Sequence, residues 1–346
     1  MTDLKVMLSR LMAGQSLERD TVNSFFGELM DGGVAPEMAA GILVALRMKG
    51  ETGVELAAAA AAMRSRVVRV PIADPGRAVD TCGTGGDGAG TINISTAAAL
   101  VAAAAGVPVA KHGNRSVSSR CGSADVLEAA GVRLSVDAEG LGRLHDELGI
   151  AFLFAPRLHP AMGAVMPVRK ALGVRTSFNL LGPLTNPAMV GRQVMGVWAA
   201  DLVPLAAGAL AELGAEHALV VHSDDGLDEL SVAAPSVVAE VRDGEVQGQW
   251  RLDPAELGVE AGDPAALQGG DQDENRRRLE SLLGGRESSA ASEAVALNTG
   301  AALYVGGAVA SVGEGLARAR EVLSSGSALE LLGRLATRSQ ELSASA

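Results

Sequence analysis

A glycine-rich turn flanked by polar residues is the first place in this chain where chemistry could occur. It lies within Asp80–Thr96, whose sequence is DTCGTGGDGAGTINIST. Glycine lets the backbone approach a ligand closely and point its N–H groups at it. A helix that begins near Ser95 would add partial positive charge at its N-terminus. The segment therefore predicts an anion-binding loop, and the alternative is a tight strand-to-helix turn without a ligand.

A second polar loop, Lys111–Ser123, has the sequence KHGNRSVSSRCGS and follows a short apolar strand. It offers the cations Lys111, Arg115 and Arg120 together with several serine hydroxyls. In open α/β sheets, ligands bind at the carboxyl ends of the strands. A solvated basic loop is the alternative, but two such loops after successive strands favour a phosphate or pyrophosphate ligand.

An acidic loop, His222–Ser231, follows another apolar strand and has the sequence HSDDGLDELS. Its carboxylates are Asp224, Asp225, Asp228 and Glu229. Oxygen ligands without cysteine suit a hard cation such as Mg²⁺ or Mn²⁺, and Mg²⁺ completes its shell with water and substrate phosphate. The loop therefore predicts a metal site, and the alternative is an acidic surface turn.

A fourth segment, His159–Pro187, places Arg169 and Arg175 on or beside a mostly apolar helix. An arginine on an apolar face is costly unless it meets a carboxylate or a phosphate. That partner is either a ligand or a group within the fold, and the sequence leaves both open. The rigid Gly182-Pro183 turn in this segment could shape a pocket.

Alternating strand and helix patterns position these loops, and they predict an α/β fold with a largely parallel sheet. The candidate strands are Val79–Thr81, Val107–Lys111, Val132–Leu134, Ala151–Phe154, Gln193–Trp198 and His217–His222. The segments Ser236–Val241 and Glu245–Trp250 flank an Asp-Gly pair and predict an antiparallel hairpin. Residues 271–335 have helical patterns, and the polar end, 336–346, predicts a flexible tail.

Four short helices are predicted before residue 67. Apolar residues recur with helical spacing from Leu4 and again from Val22. Pro36 suits the first turn of a third helix, and Thr52 with Glu55 forms a capping box before a fourth. So small a helical layer must pack on the rest of the chain or on a second subunit.

The composition argues against several classes of protein. Of the 346 residues, 48% are hydrophobic, which argues against disorder, and no apolar run reaches the ~18 residues of a membrane-spanning helix. The net charge of −12 and the scarcity of aromatic residues argue against nucleic-acid binding. Cys82 and Cys121 form neither a disulfide framework nor a metal motif. Because the N-terminus also lacks a secretory pattern, a cytoplasmic protein is expected.

In combination, these motifs resemble the anthranilate phosphoribosyltransferase family. The shared patterns are GTGGDG followed by NIST, KHGNRSVSS, the block from HPAM to GPLTNPA, DGLDELS, LQGGD and ALNTGAALYVGG, in order over residues 4–335. The resemblance implies a small N-terminal helical domain and a large α/β domain with a mostly parallel central sheet, of the nucleoside phosphorylase/phosphoribosyltransferase class. It also implies transfer of the phosphoribosyl group of 5-phosphoribosyl 1-pyrophosphate to the amine of anthranilate, in tryptophan biosynthesis.

The resemblance also implies roles for individual residues, with no classical acid, base or nucleophile among them. The residues implied to hold 5-phosphoribosyl 1-pyrophosphate are Gly83, Gly86, Asp87, Thr91, Asn93, Ile94, Ser95, Thr96, Lys111, His112, Gly113, Asn114, Arg115, Ser116, Val117, Ser118, Ser119 and Ser123. Those implied to contact anthranilate are Gly83, His112, Asn114, His159, Arg169, Gly182 and Pro183. The residues implied to hold magnesium, as two ions per subunit, are Ser95, Asp228 and Glu229.

Domain limits and assembly follow from the same resemblance. The helical domain is expected to span residues 1–70, joined by 164–185, and the α/β domain to span 78–163 and 186–335. The helical domain is expected to form a homodimer interface. Gly163 departs from the family, which often has a bulky residue there, and the departure bears on the entrance for anthranilate.

Two other functions remain open from the sequence. An enzyme like the pyrimidine nucleoside phosphorylases would share the fold and use free phosphate, although the loops of those enzymes differ from KHGNRSVSS. A non-enzymatic relative that binds nucleic acid would need basic surface patches, which the net charge of −12 argues against.

Overall fold

Four helices form the N-terminal part of the chain, as the apolar spacing predicts. The structure is a computed structural model, and it describes residues 3–116, 120–260 and 262–344. Thr52 and Glu55 form the predicted capping box, which stabilises the start of the fourth helix. The helices are α1 (Leu4–Met12), α2 (Arg19–Met30), α3 (Pro36–Lys49) and α4 (Gly53–Arg64).

A single mixed sheet forms the centre of the molecule. Its strands are β1 (Val79–Asp80), β2 (Val109–Gly113), β3 (Ile150–Phe154), β4 (Arg192–Gly196), β5 (His217–Ser223), β6 (Ser236–Arg242) and β7 (Glu245–Leu252). Their order is β3-β2-β1-β4-β5-β6-β7, and β1 to β5 run parallel. Strands β5, β6 and β7 pair antiparallel. Asp243 and Gly244 have positive φ between β6 and β7, which confirms the predicted hairpin.

The prediction of a strand at Val132–Leu134 is wrong, since this segment lies in the connection between two helices. Val132 is buried in the core. The N–H of Arg133 donates to the hydroxyl of Ser339 at 2.9 Å instead of to a neighbouring strand. So short an apolar run can be buried against helices as well as in a sheet, and periodicity does not distinguish the two.

Helices cover both faces of the sheet. Side chains alternate between the two faces along a strand. On one face, Val194 of β4 and Leu219 of β5 lie in a core with residues of α5 and α13. On the other face, Met195 and Val220 lie in a core with residues of α4 and α11. The remaining α-helices of the described residues are α5 (Ile94–Ala104), α6 (Ser123–Ala129), α7 (Ala138–Leu148), α8 (Ala155–Leu158), α9 (Met162–Leu172), α10 (Phe178–Leu181), α11 (Leu202–Glu212), α12 (Gln272–Leu283), α13 (Ala290–Val305), α14 (Val312–Ser325) and α15 (Ser327–Ala344).

The segment 164–185 packs against the N-terminal helices. Val165 and Leu181 are buried in the same core as the apolar residues of α2 and α3. The ring of Phe178 lies 5.3 Å from that of Phe26, centroid to centroid. This apolar contact fixes α9, which carries Arg169, beside the helical layer.

The C-terminal residues 336–344 are not the flexible tail that their polarity predicts. They continue α15, in which Ser339 and Leu342 are buried. The side chain of Gln340 donates to the carbonyl of Gly131 at 2.9 Å. The apolar residues recur at helical spacing and so bury one face of a helix whose other face is polar. Within the described ranges, no helix is both long and apolar enough to cross a membrane.

Candidate active site

The loops that follow β1, β4 and β5 meet at one edge of the sheet. The chain runs from β1 outward through β2 and β3, and β4 then starts on the other side of β1. Such a reversal opens a crevice at the carboxyl ends of the strands, where α/β proteins bind ligands. The glycine-rich loop (residues 81–93) lies there, because the N–H of Thr84 donates to the carbonyl of Gly196 at the end of β4 (2.9 Å).

The acidic loop (residues 224–231) contacts the glycine-rich loop and α5 through two carboxylates. Asp228 accepts a hydrogen bond from the N–H of Gly85 at 2.6 Å. Glu229 accepts one from the N–H of Ser95, in the first turn of α5, at 3.1 Å. The second carboxylate oxygen of Glu229 is buried and has no partner among the described residues. The small polar cavity at this point is lined by Thr81, Gly83, Ser95, Ala98, Val194, Gly196, Val221, Asp228, Glu229 and Asn298.

Burial and mutual repulsion make these acids hard to ionise without a cation. Burial, followed by the charge of Asp87, raises the pKa of Asp228 to about 7. Burial, followed by the charge of Asp228, raises the pKa of Glu229 to about 8. Acidic oxygens gathered in a buried site, one of them without a partner, suit a hard divalent cation. Asp228 and Glu229 therefore fit the predicted magnesium site, with Ser95 beside them.

Two glycines allow the loops to approach this closely. A Cβ at Gly83 would lie 3.0 Å from a carboxylate oxygen of Asp228, and a Cβ at Gly196 would overlap the Asp228 backbone carbonyl. Sequence reasoning missed Gly196. The available signal was a glycine at the end of an otherwise apolar strand, which marks a close backbone approach.

The glycine-rich loop presents backbone donors to the crevice. Gly85 and Gly86 have φ of 63° and 81°. The N–H groups of Gly86, Asp87 and Gly88 donate to no atom of the described residues. Successive N–H groups of this kind, next to the N-terminus of α5, suit an anionic ligand.

Two of the three cations in the second polar loop bond to groups of the protein. Arg115 forms ion pairs with Asp125 (2.7 Å) and Glu128 (2.8 Å). The ammonium of Lys111 is buried and donates to the carbonyl and hydroxyl of Thr81 at 3.2 and 3.1 Å. Both side chains therefore brace the loop through contacts within the protein. Val117, Ser118 and Ser119 lie outside the described residues.

Other residues assigned by resemblance line or support the same edge. Asn93 occupies the N-cap position of α5, and its side chain donates to the carbonyl of Cys121 at 3.1 Å. Thr91 forms an isolated antiparallel bridge with Gln268, and the hydroxyl of Ser123 donates to the carbonyl of Asn114 at 3.1 Å. The remaining members are Ile94 and Thr96, both buried in α5, Gly113 at the end of β2, and Ser116, whose N–H donates to Asp125.

His112 and His159 form a buried pair with a defined proton arrangement. Nδ1 of His112 lies 3.0 Å from the carbonyl of Gly182 and must donate to it, because a carbonyl only accepts. Nε2 of His112 is then the acceptor for Nε2–H of His159, at 3.1 Å. Nδ1 of His159 is left as a buried acceptor without a partner among the described residues. Burial lowers the pKa of His112 to about 3 and that of His159 to about 4, so both are neutral at pH 7.

Arg169 is half-buried and faces the ring of Phe178, with its guanidinium carbon 5.7 Å from the ring centroid. Burial lowers its pKa. No carboxylate of the described residues pairs with it, although such a partner is the usual condition for a partly buried arginine. This guanidinium is therefore available to an anionic ligand. Arg175, in contrast, stacks on Trp198 and donates to the carbonyl of Gly86.

One cluster with metal-ligating atoms already has its own cation. The ligating atoms of Asp80, Cys82 and His112 lie within 4.8 Å of one another. The Asp80 carboxylate, however, accepts hydrogen bonds from the N–H of His112 and from Asn186. Burial raises the pKa of Asp80 to about 6, and the charge of Lys111 acts against that rise. The arrangement is a satisfied buried network that braces β1 and β2.

A larger groove of about 400 Å³ lies between α1 and α2 and is lined by residues such as Arg10 and Asp20. It contains none of the residues that the sequence singled out. We place the chemistry at the smaller polar cavity, because unpartnered buried polar groups mark a functional site more specifically than volume does.

Replacing Cys82 or Cys121 by serine is expected to leave turnover nearly unchanged. Burial, followed by the charge of Asp80, raises the pKa of the Cys82 thiol, and burial raises that of Cys121 to about 11. A thiol with a raised pKa is a poor nucleophile at neutral pH. Initial rates of the two variants test this, and a large loss in both would show that the thiols take part in the reaction.

Replacing Gly163 by alanine is expected to stabilise the protein by up to about 1 kcal/mol, since glycine is a poor helix former. Gly163 lies in the first turn of α9, is exposed, and would give a Cβ no neighbour within 4 Å. Gly53→Ala is the matched control, because its Cβ would lie 3.0 Å from the backbone of Gly208. Melting temperatures should rise for the first variant and fall for the second. A fall in both would contradict the open surroundings of Gly163.

Both parts of the chain match family models of glycosyl transferases. Residues 5–67 match the model described as "Glycosyl transferase family, helical bundle domain". Residues 75–329 match the model described as "Glycosyl transferase family, a/b domain". The helical layer, the mixed sheet and the site between their loops are thus those of a glycosyl transferase with these two parts.

Individual relatives narrow the class. Anthranilate phosphoribosyltransferase of Laribacter hongkongensis is 49% identical over 97% of this chain and 98% of its own length. The crystal structure of the Thermus thermophilus anthranilate phosphoribosyltransferase is 46% identical, with a TM-score of 0.91 over 96% of this chain and 99% of that one. The Saccharomyces cerevisiae enzyme in complex with PRPP and Mg is 26% identical, with a TM-score of 0.88 over 98% of both chains. The chain belongs to the anthranilate phosphoribosyltransferase family, which confirms the resemblance and decides against the two alternatives.

Proposed function

We propose that the protein transfers the 5-phosphoribosyl group of 5-phosphoribosyl 1-pyrophosphate (PRPP) to the amine of anthranilate. The products are N-(5-phosphoribosyl)anthranilate and pyrophosphate, in tryptophan biosynthesis. One observation carries the proposal: the half-buried acids Asp228 and Glu229 lie against the glycine-rich loop and the start of α5. That combination suits a polyphosphate that arrives with a divalent cation. The Saccharomyces cerevisiae relative was solved with this pair of ligands.

The pyrophosphate would be held mainly by backbone donors. The N–H groups of Gly86, Asp87 and Gly88 have no hydrogen-bond partner in the described part of the chain. They belong to the loop that leads into the N-terminus of α5, where the N–H of Ser95 bonds to Glu229. Lys111 and Arg115 support the site by bracing the second polar loop through Thr81 and Asp125. Preorganised donors of this kind stabilise the charge that develops on a leaving group.

Asp228 and Glu229 would hold magnesium, which when bound neutralises charge on the leaving pyrophosphate. The two carboxylates bond to different elements, Asp228 to the glycine-rich loop and Glu229 to the first turn of α5. Adjacent side chains attached in this way can serve separate ions, and we propose two per subunit.

Anthranilate would be oriented by its carboxylate on Arg169, because a guanidinium can hold a carboxylate with two parallel hydrogen bonds. The unpartnered Nδ1 of His159 offers a hydrogen-bond acceptor, which its hydrogen bond to His112 keeps in one tautomer. Displacement at an anomeric carbon passes through an oxocarbenium-like transition state. The amine nitrogen needs no prior deprotonation: it bonds to C1 as the bond between C1 and the pyrophosphate oxygen breaks, and its surplus proton then leaves to solvent. Positioning of the two substrates therefore supplies much of the catalysis.

A homodimer through the helical layer is also proposed. Val6 and Met12 of α1 and Met48 of α3 are exposed, with Met12 at 77% and Met48 at 83%. Large exposed apolar side chains on two neighbouring helices favour burial against a second copy. A Met12→Glu/Met48→Glu variant should sediment as a monomer while the wild-type protein sediments as a dimer. We also propose a cytoplasmic location, in keeping with the thiol state of both cysteines.

The decisive experiment mixes the purified protein with anthranilate, PRPP and Mg²⁺ and follows the loss of anthranilate fluorescence. Reactions without PRPP, and with a chelator in place of Mg²⁺, are the controls. We expect turnover only in the complete mixture, with one pyrophosphate released per anthranilate consumed. A complete mixture in which anthranilate persists would overturn the proposed function.

A further inference from the structure

Arg175 connects the acceptor side of the site to the glycine-rich loop. Its guanidinium lies over the indole of Trp198, 4.5 Å from the ring centroid, and donates a hydrogen bond to the carbonyl of Gly86. A cation is attracted to the face of an indole ring. Trp198 directly follows Val197, whose N–H bonds to Val221 of β5. The guanidinium is therefore oriented by a residue attached to the sheet.

The backbone around Arg175 is anchored on its other side to the helical layer. The hydroxyl of Ser177 donates to Glu51, in the turn between α3 and α4, at 2.8 Å. The side chain of Glu51 is only 3% exposed, and the N–H of Thr176 bonds to the side chain of Asn179 at 3.0 Å. Arg175 thus reaches from a segment fixed to the helices across to a loop of the α/β part.

The peptide that Arg175 holds is the one between Gly86 and Asp87. None of the described peptide bonds is cis, and in a trans peptide the carbonyl and the N–H point in opposite directions. With its carbonyl on Arg175, this peptide directs the Asp87 N–H away from the guanidinium. Gly86 and Gly88 flank Asp87 with φ of 81° and 77°. Glycines leave a peptide little intrinsic preference, so an outside contact must fix its orientation.

We infer that Arg175 is a positioning residue for the pyrophosphate site. It acts through the Gly86 carbonyl and sets the direction of the Asp87 N–H, without touching the ligand itself. The inference rests on the proposed function for the identity of the ligand. It also predicts separate roles for two arginines of the same segment: Arg169 contributes to the binding of anthranilate, and Arg175 contributes to the binding of PRPP.

The test is calorimetric titration of PRPP with Mg²⁺ into the protein in the absence of anthranilate. Arg175→Ala is expected to raise the Kd for PRPP about ten- to a hundredfold, as for loss of a charge-assisted hydrogen bond. Arg175→Lys should recover only part of the affinity, because lysine lacks the planar fork that stacks and donates together. The KM for anthranilate, measured at saturating PRPP, should change little in either variant.

Two further variants control for charge and for folding. Lys170→Ala removes a positive charge from the nearby helix α9, where Lys170 is exposed, and its Kd for PRPP should equal that of the wild-type protein. Trp198→Leu leaves Arg175 in place but removes the ring that orients it. This variant should weaken PRPP binding less than Arg175→Ala does. Melting temperatures establish that each variant is folded.

Folded Arg175→Ala protein with wild-type PRPP affinity would overturn the inference. If that variant does not fold, unchanged affinity in both Arg175→Lys and Trp198→Leu would overturn it equally. Equal losses in PRPP and anthranilate binding would show a general structural role instead of positioning. Failure of the wild-type protein to bind PRPP with Mg²⁺ would overturn the proposed function itself, and this inference with it.

Discussion

Exchange of Glu229 for glutamine, or of Asp228 for asparagine, is expected to lower kcat/KM by more than about a hundredfold. Metal ions supply several kcal/mol of charge stabilisation in such reactions, and every 1.4 kcal/mol is a factor of ten. The two carboxylates are adjacent and half-buried, and they bond to the glycine-rich loop and to α5. Raising the Mg²⁺ concentration should partly rescue one of the variants, because the other carboxylate remains.

In the absence of metal, exchange of Glu229 for glutamine should raise the stability of the protein although it lowers activity. When folding raises the pKa of a carboxyl group, the folded protein becomes less stable as the pH rises from the ordinary pKa of that group to the raised pKa. The reason is that the group ionises in the unfolded chain first. For Glu229 that value is about 8. In a chelator, Glu229→Gln should therefore melt above the wild-type protein at pH 8, and the difference should shrink towards pH 5. Mg²⁺ should raise the melting temperature of the wild-type protein more than that of the variant.

Asp224→Asn is the matched control for these exchanges. Asp224 lies in the same acidic loop, but it is exposed and paired with Arg251. Surface ion pairs contribute about 0–1 kcal/mol, so neither activity nor Mg²⁺ response should change appreciably. If Asp228→Asn and Glu229→Gln behaved like Asp224→Asn at low Mg²⁺, the metal assignment would be wrong.

Replacement of Arg169 by alanine is expected to raise the KM for anthranilate about ten- to a hundredfold, which corresponds to about 1.5–3 kcal/mol for a charge-assisted hydrogen bond. The guanidinium is half-buried, faces Phe178 and has no carboxylate partner in the described ranges. The KM for PRPP should change little, because we assign that substrate to the glycine-rich loop. Arg169→Lys should recover little of the affinity for anthranilate, since lysine keeps the positive charge but lacks the planar guanidinium that can form two parallel hydrogen bonds.

Melting temperature separates this role from a structural one. An arginine that braced the fold would lower the melting temperature on removal. Arg169, whose pKa is lowered by burial, lies in a site that disfavours its charge. We therefore expect Arg169→Ala to melt at or above the wild-type temperature, with Lys170→Ala as the neighbouring control. A destabilised Arg169→Ala protein with an unchanged KM for anthranilate would refute the carboxylate role.

Local patterns in the sequence determined the elements and the chemistry-bearing loops. The capping box of Thr52 and Glu55, the Asp-Gly hairpin and the alternation of strands with helices depend on residues close together in the chain, and the structure has all three. Adjacent acids such as Asp228 and Glu229 also indicate, from residue type, a candidate site for a hard cation.

Only the tertiary structure decided which side chains face the crevice and which serve the fold. Lys111 and Arg115 look like ligand-binding cations in the sequence, and only the structure shows that they bond to Thr81, Asp125 and Glu128. The contact between Gly196 and Asp228 and the pairing of His112 with His159 join residues more than 30 positions apart. Such contacts depend on the order of the strands and on how neighbouring strands and loops pack together. The local periodicity of the sequence does not predict them. For the same reason residues 336–344, polar in sequence, are a packed helix, because the surface that buries their apolar face comes from distant elements.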